Sequence, residues 1–189
     1  MEWILASASP RRKQLLGELI EQFEIIPAKG EENGHGLTGA KLVETLAQQK
    51  ALEIASLKEA TGKAVLGADT SVFLDNKVLG KPKDQADAAR MLAALSGRTH
   101  EVLTGVCISY PQPDGTRKTY VASECTKVRF HSLSKTQIDA YVATGSPMDK
   151  AGAYGIQDGG LVEEIEGSFS NVVGLPIELC KRMIEKIIP

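Results

Sequence analysis

The apolar positions of the chain switch repeatedly between two periods. A short continuous run, Trp3 to Ala6, reads as a buried strand. Ser9 then caps a helix whose first residue is Pro10, where a missing N–H costs nothing. Phe23 to Pro27 reads as a second strand, and residues 28–38 as a polar, Gly-rich loop. A helix is predicted from Gly39 to Ala60, capped by Thr38. Its stripe is Leu42, Val43, Leu46, Ala47, Ala51, Ile54 and Ala55, at helical spacing. Lys50 falls on that same stripe.

Ala64 to Gly67 reads as a strand entering Ala68-Asp69-Thr70. Ser71–Leu74 and Lys77–Leu79 form a hairpin about Asp75-Asn76. Asp84 to Leu95 is a helix. Thr99–Tyr110 and Lys118–Phe130 are long strands joined through Pro113-Asp114-Gly115. Ser134 opens a further helix, with Gln137 completing a capping box, and Gly145 ends it. Residues 146–160 read as a loop. Leu161–Ile165 and Phe169–Val173 read as a hairpin about Glu166-Gly167, and Pro176 starts the last helix. Strands and helices interleave and several strand pairs are hairpins, so the class is mixed α/β, not a purely doubly wound sheet. No linker or repeat divides the 189 residues, which are read as one domain.

Composition narrows the function. Hydrophobic residues make up 42% and charged residues 24%, as in ordinary globular proteins. A net charge of −2 argues against strong nucleic-acid binding, which depends on excess Lys and Arg. No basic leader and no membrane-length apolar run are visible. Cys107, Cys125 and Cys180 are odd in number and widely spaced, which points to reduced thiols, a cytosolic setting and no zinc site. His35, His100 and His131 are also far apart. Any metal is therefore expected to be a hard cation on carboxylates.

Six segments carry possible chemistry, and each has a plainer reading. Ser7-Ala8-Ser9-Pro10-Arg11-Arg12 joins a strand to a helix start, which suits phosphate through free N–H groups and forked guanidinium donors. It reads equally as a capped helix with two solvated arginines. Gly67-Ala68-Asp69-Thr70 offers a carboxylate for a metal or for water. Alone it reads first as a β-turn. Lys81, in Gly80-Lys81-Pro82-Lys83, can meet phosphate or simply face solvent. Glu31-Glu32 can share a divalent cation with Asp69 or be merely solvated. Lys50, a charge on an apolar stripe, needs a partner or a path to solvent. The run Asp149 to Gln157 pairs glycines with an amide that can answer a base edge, or it is a flexible connection. No Walker loop and no G-x-G-x-x-G occur.

Taken in order, these segments resemble the Maf family of nucleoside triphosphate pyrophosphatases. The resemblance runs through Leu5-Ala6-Ser7-Ala8-Ser9-Pro10-Arg11-Arg12, Gly67-Ala68-Asp69-Thr70, Gly80-Lys81-Pro82 and Leu95-Ser96-Gly97-Arg98-Thr99-His100. Asp149 to Gln157 and Val173-Gly174-Leu175-Pro176 complete it, over nearly the whole chain. It implies an elongated twisted sheet flanked by helices, two lobes about a central cleft, and a fold related to the inosine triphosphatase group. It also implies cleavage between the α and β phosphates with Mg²⁺ or Mn²⁺, and a homodimer.

By the resemblance, Asp69 is the proton acceptor. Ser7, Arg11, Arg12, Lys50, Thr70, Lys81 and Gln157 line the substrate pocket. Asp69 and Glu32 hold the metal. Arg12, Thr70 and Gln157 set base preference. Thr70 and the Ala-Tyr-Gly-Ile-Gln run match the subgroup acting on dTTP and UTP, not the one acting on 7-methyl-GTP. Lys29-Gly30 departs from the family pattern, which usually has an apolar residue near this point, and bears on Glu32. Two other readings compete: a purine triphosphate pyrophosphatase, and a non-catalytic regulator linked to septum formation, the process for which the family was named.

Overall fold

The computed structural model describes residues 1–187. Its centre is a seven-stranded mixed sheet in the order β2-β1-β3-β5-β6-β7, with β4 paired to β3. The strands are β1 (Trp3–Leu5), β2 (Glu24–Ile25), β3 (Ala64–Leu74), β4 (Lys77–Leu79), β5 (Thr99–Pro111), β6 (Arg117–Phe130) and β7 (Val162–Glu166). β1 runs parallel to β2 and β3, and the other pairs are antiparallel. The helices are α1 (Pro10–Gly17), α2 (Gly39–Ala55), α3 (Gln85–Leu95), α4 (Lys135–Ala143), α5 (Phe169–Val173) and α6 (Ile177–Ile187). The mixed α/β class expected from the sequence is the class found.

Helix starts follow local chemistry. The Ser9 hydroxyl accepts from the Arg12 N–H, and Pro10 opens α1. Asp84 caps α3 through the Asp87 N–H at 2.7 Å. Ser134 and Gln137 form both arms of the capping box on α4. Each cap of this kind stabilises its helix by about 1 kcal/mol. Thr38 precedes α2 in extended conformation but makes no side-chain cap bond.

Four expectations are corrected. The helix α2 stops at Ala55, where Ser56 folds its hydroxyl onto the Glu53 carbonyl, and a separate 3₁₀ turn spans Lys58–Ala60. The strand expected over Phe23–Pro27 pairs only at Glu24–Ile25. The strands on either side of Asp69 are one continuous strand, β3, so Asp69 is not in a turn. The second arm of the expected C-terminal hairpin, Phe169–Val173, is the helix α5. Ser168 caps it, and buried Asn171 donates from Nδ2 to the Val102 carbonyl and the Thr126 hydroxyl. Those tertiary bonds override a β-prone run. The loop 146–160 contains 3₁₀ turns at Ser146–Asp149, Ala151–Ala153 and Ile156–Asp158.

β3, β5 and β6 are long enough to serve two apolar clusters. At one end, Trp3, Leu5, Leu66 and Ile108 pack with Leu175 and Met183. At the other, Val72, Leu92, Leu95, Val128 and Phe130 pack together beneath α3 and α4. The edge of β3 is shared out between them. β1 pairs with Ala64–Leu66, and β4 with Val72–Leu74. Neither strand covers residues 67–71, and a cleft opens there.

Candidate active site

Side chains alternate across a strand, so Gly67, Asp69 and Ser71 face one side of the sheet and Ala68, Thr70 and Val72 the other. Helix α2 lies on the first side. It approaches closely because Gly67 and Gly105 lack side chains. A Cβ on Gly67 would sit 2.6 Å from the Ala47 carbonyl oxygen, and one on Gly105 2.2 Å from that of Val43. Lys50 of α2 is thereby brought over Asp69.

Lys50 Nζ lies 2.6 Å from Asp69 Oδ1 and 2.8 Å from Glu32 Oε1. The Asp69 side chain is 11% exposed and that of Lys50 is 17% exposed. The Ser71 hydroxyl donates to Asp69 Oδ2 at 3.4 Å. The partner that an apolar-stripe lysine requires is thus a pair of carboxylates. Among the described residues, no three His, Cys, Asp or Glu side chains gather as a metal cage. Two carboxylates meeting at one atom do suit Mg²⁺, which takes one or two protein carboxylates and fills its shell with phosphate oxygens and water.

On the other face, Arg12 organises a second network. Its Nε donates to the Gly174 carbonyl at 2.9 Å, and its terminal nitrogens donate to Thr70 Oγ1 at 3.1 Å and Ser7 Oγ at 3.4 Å. Thr70 and Thr104 are register partners, their hydroxyls 2.9 Å apart, and Thr104 donates to the Asn171 carbonyl. Burial pulls the Arg12 guanidinium below its ordinary value, and neighbouring Arg11 pulls the same way. Asp69 and Glu32 oppose the shift. An anion in the cleft would relieve the same cost. Arg11 pairs with Asp149 at 3.3 Å.

Ser7, Arg11, Arg12, Glu32, Lys50, Asp69, Thr70, Lys81 and Gln157 all line one cleft of about 770 Å³. That volume is in the range of small-molecule sites. Lys81 and Gln157 are exposed within it, and Glu31 is an exposed loop residue. The far wall is the 151–157 segment. It is anchored by Tyr154, whose hydroxyl lies 2.8 Å from His100 Nε2. His100, Phe130 and Tyr154 pack edge-on to one another. Burial drops the His100 pKa to about 4 and raises that of Tyr154. Ala153, fully buried, holds a left-handed φ of 61° within this wall.

Sequence reasoning missed several polar partners. Ser71 was open to discovery, since a two-residue period puts it on the face of Asp69. Thr104 and Asn171 were not, because their places depend on strand register and on the helical state of α5.

The bare strand edge, the paired carboxylates and the converging cations give this α/β protein a cleft whose chemistry suits a phosphorylated ligand. Solved structures agree on the fold. The Ham1 protein of Staphylococcus aureus superposes with a TM-score of 0.53 at 18% identity, covering 98% of this chain and 99% of that one. A HAM1 protein from Coxiella burnetii gives 0.56 at 16%, with the same coverage. The chain matches the Maf-like protein family over residues 2–187 and belongs to it. It is 44% identical to a dTTP/UTP pyrophosphatase of Aquifex aeolicus, over 99% of this chain and 96% of that protein. It is 47% identical to one from Thermococcus gammatolerans, over 96% and 95%.

Proposed function

We propose that this chain hydrolyses dTTP and UTP to the monophosphate and pyrophosphate, working as one unit with two lobes. The observation that carries the reading is the junction of Asp69, Lys50 and Glu32 in a cleft that also gathers Arg11, Arg12 and Lys81. The identities of 44% and 47% to dTTP/UTP pyrophosphatases support the substrate class.

Asp69 and Glu32 would hold a divalent cation, Mg²⁺ or Mn²⁺. When bound, that ion would withdraw charge from the phosphate oxygens. Asp69 orients the attacking water and accepts its proton as the α–β phosphoanhydride breaks. Lys50 holds both carboxylates in place and, with Arg11, Arg12 and Lys81, offsets charge on the departing pyrophosphate. Ser7 adds a hydroxyl donor beside Arg12. Gln157 presents one acceptor and one donor to the imide and carbonyl edge of uracil or thymine. Thr70 and Arg12, bonded to each other, shape the neighbouring wall.

No helix among the described residues is long and apolar enough to cross a membrane. Cys107, Cys125 and Cys180 are free thiols, which supports a cytosolic protein. A homodimer is proposed on the family resemblance, with light scattering as its test.

The test of function is pyrophosphate release from a panel of nucleoside triphosphates with Mg²⁺ or Mn²⁺, run beside Asp69→Asn. Release from dTTP and UTP that the substitution removes supports the proposal. Release from purine triphosphates alone would move it to the purine reading. No release from any nucleotide would move it to a binding or regulatory role.

A further inference from the structure

The loop that carries Glu32 has no regular structure, yet α2 grips it at both ends. The Glu53 carboxylate accepts two successive backbone N–H groups, from Lys29 at 2.8 Å and Gly30 at 3.0 Å. One turn earlier on the helix, Gln49 holds Asn33 from both sides. Its Oε1 accepts the Asn33 N–H at 3.0 Å, and its Nε2 donates to the Asn33 carbonyl at 2.8 Å. Between these two grips, Lys50 meets the Glu32 carboxylate itself.

Single surface hydrogen bonds do little to fix a loop. This arrangement differs in having four backbone bonds, two of them charge-assisted, within residues 29–33. Gly30 is fitted to it. A Cβ there would lie 2.8 Å from Glu53 Oε2, the atom that accepts the Gly30 N–H. A side chain would push the acceptor away. The Lys29-Gly30 pair is therefore tied down through its own backbone, with no apolar anchor required.

We infer that Gln49 and Glu53 are positioning residues that set the Glu32 carboxylate against Lys50 and Asp69. The inference rests on the proposed place of Glu32 at the cation site. Neither residue lines the cleft. Each acts through the loop, so its loss should weaken cation use more than turnover.

The test is a set of variants, Glu53→Ala, Gln49→Ala, Gly30→Ala and Glu53→Gln, made in the wild-type and Glu32→Gln backgrounds. Three properties are read: Mg²⁺ dependence of pyrophosphate release, Mn²⁺ affinity by electron paramagnetic resonance, and amide exchange at residues 29, 30 and 33. Loss of a group that orients a metal ligand typically costs ~10-fold or more in metal affinity. Glu53→Ala and Gly30→Ala should raise the half-saturating Mg²⁺ concentration by about that factor, with a much smaller change in kcat. Mn²⁺ affinity should fall in parallel, and the amides of residues 29 and 30 should exchange faster. Glu53→Gln should recover part of the loss, since an amide oxygen still accepts. In the Glu32→Gln background, Glu53→Ala should add nothing.

Faster exchange with unchanged Mg²⁺ and Mn²⁺ behaviour would overturn the inference and leave a purely structural tie. A full additive effect in the Glu32→Gln background would overturn it as well. Unaltered cation dependence in Glu32→Gln itself would instead overturn the placement of Glu32, and the inference with it. If Glu53→Ala fails to fold, Gly30→Ala and Gln49→Ala carry the same comparison.

Discussion

The two walls of the cleft are built differently. Asp69 and Thr70 sit in the middle of β3, held by nine register pairs with β5 and by bonds to α1, α2 and the turn after α5. Gln157 sits on a chain of short 3₁₀ turns and is exposed. A strand paired before and after a residue holds its side chain in one place, and that suits the proposed proton acceptor. A loop tolerates exchange of residues, and that suits the reading of a base. The contrast predicts that changes at Asp69 alter the rate for every nucleotide, whereas changes at Gln157 alter the ranking of nucleotides.

The largest expected effect is from Asp69→Asn. Pyrophosphate release should fall ~10³-fold for all substrates, the scale of a lost general base. The melting temperature should stay within a few degrees. Near-normal kcat would break the comparison at its rigid end.

Next comes His100, the link from β5 to the loop wall. Its pKa is about 4 in the fold against an ordinary 6.5. Below pH 6.5 the unfolded chain takes up a proton that the folded one refuses. Stability is therefore complete above that pH and is lost as pH falls toward 4. The loss is up to about 3 kcal/mol. Urea unfolding from pH 7 to 4 should show it, and His100→Phe should flatten that limb.

Arg12→Met should destabilise by about 2 kcal/mol, since the Gly174 carbonyl and the Thr70 hydroxyl lose a charged donor. Thermal or urea denaturation measures this. The smallest effect is from Gln157→Ala. The ratio of kcat/KM for UTP over a purine triphosphate should drop ~10-fold, with inhibition by pyrophosphate unchanged. An equal loss across all nucleotides would show that both walls serve the phosphates.

Much of this was legible in the sequence. The stripe of α2 singled out Lys50 as a misplaced charge, and the structure gives it two carboxylate partners. Ser9-Pro10 and Ser134 with Gln137 marked true helix starts. The misreadings share a cause. Asp69-Thr70 looked like the end of a strand because polar residues interrupt an apolar run. A strand edge left bare between β1 and β4 accepts such residues in its middle, and local pattern carries no word of which neighbour stops where. Phe169 to Val173 looked extended because its residues favour strands. Asn171 reaches Val102 and Thr126 only once β5 and β6 are in register. The grip of Gln49 and Glu53 on residues 29–33 was hidden for the same reason. Its contacts are to backbone, which no side-chain pattern announces.

The uncovered stretch of β3 has a consequence for how such a protein can vary. Adjacent positions of one strand face opposite sides of the sheet, so the Asp69 carboxylate and neighbouring Thr70 are tied to a two-residue alternation. Point substitutions can retune either one. Inserting or deleting a single residue between Gly67 and Asp69 would instead exchange their sides, taking the carboxylate from Lys50 and presenting it to Arg12. A substitution here leaves that alternation in place, whereas a change of length breaks it.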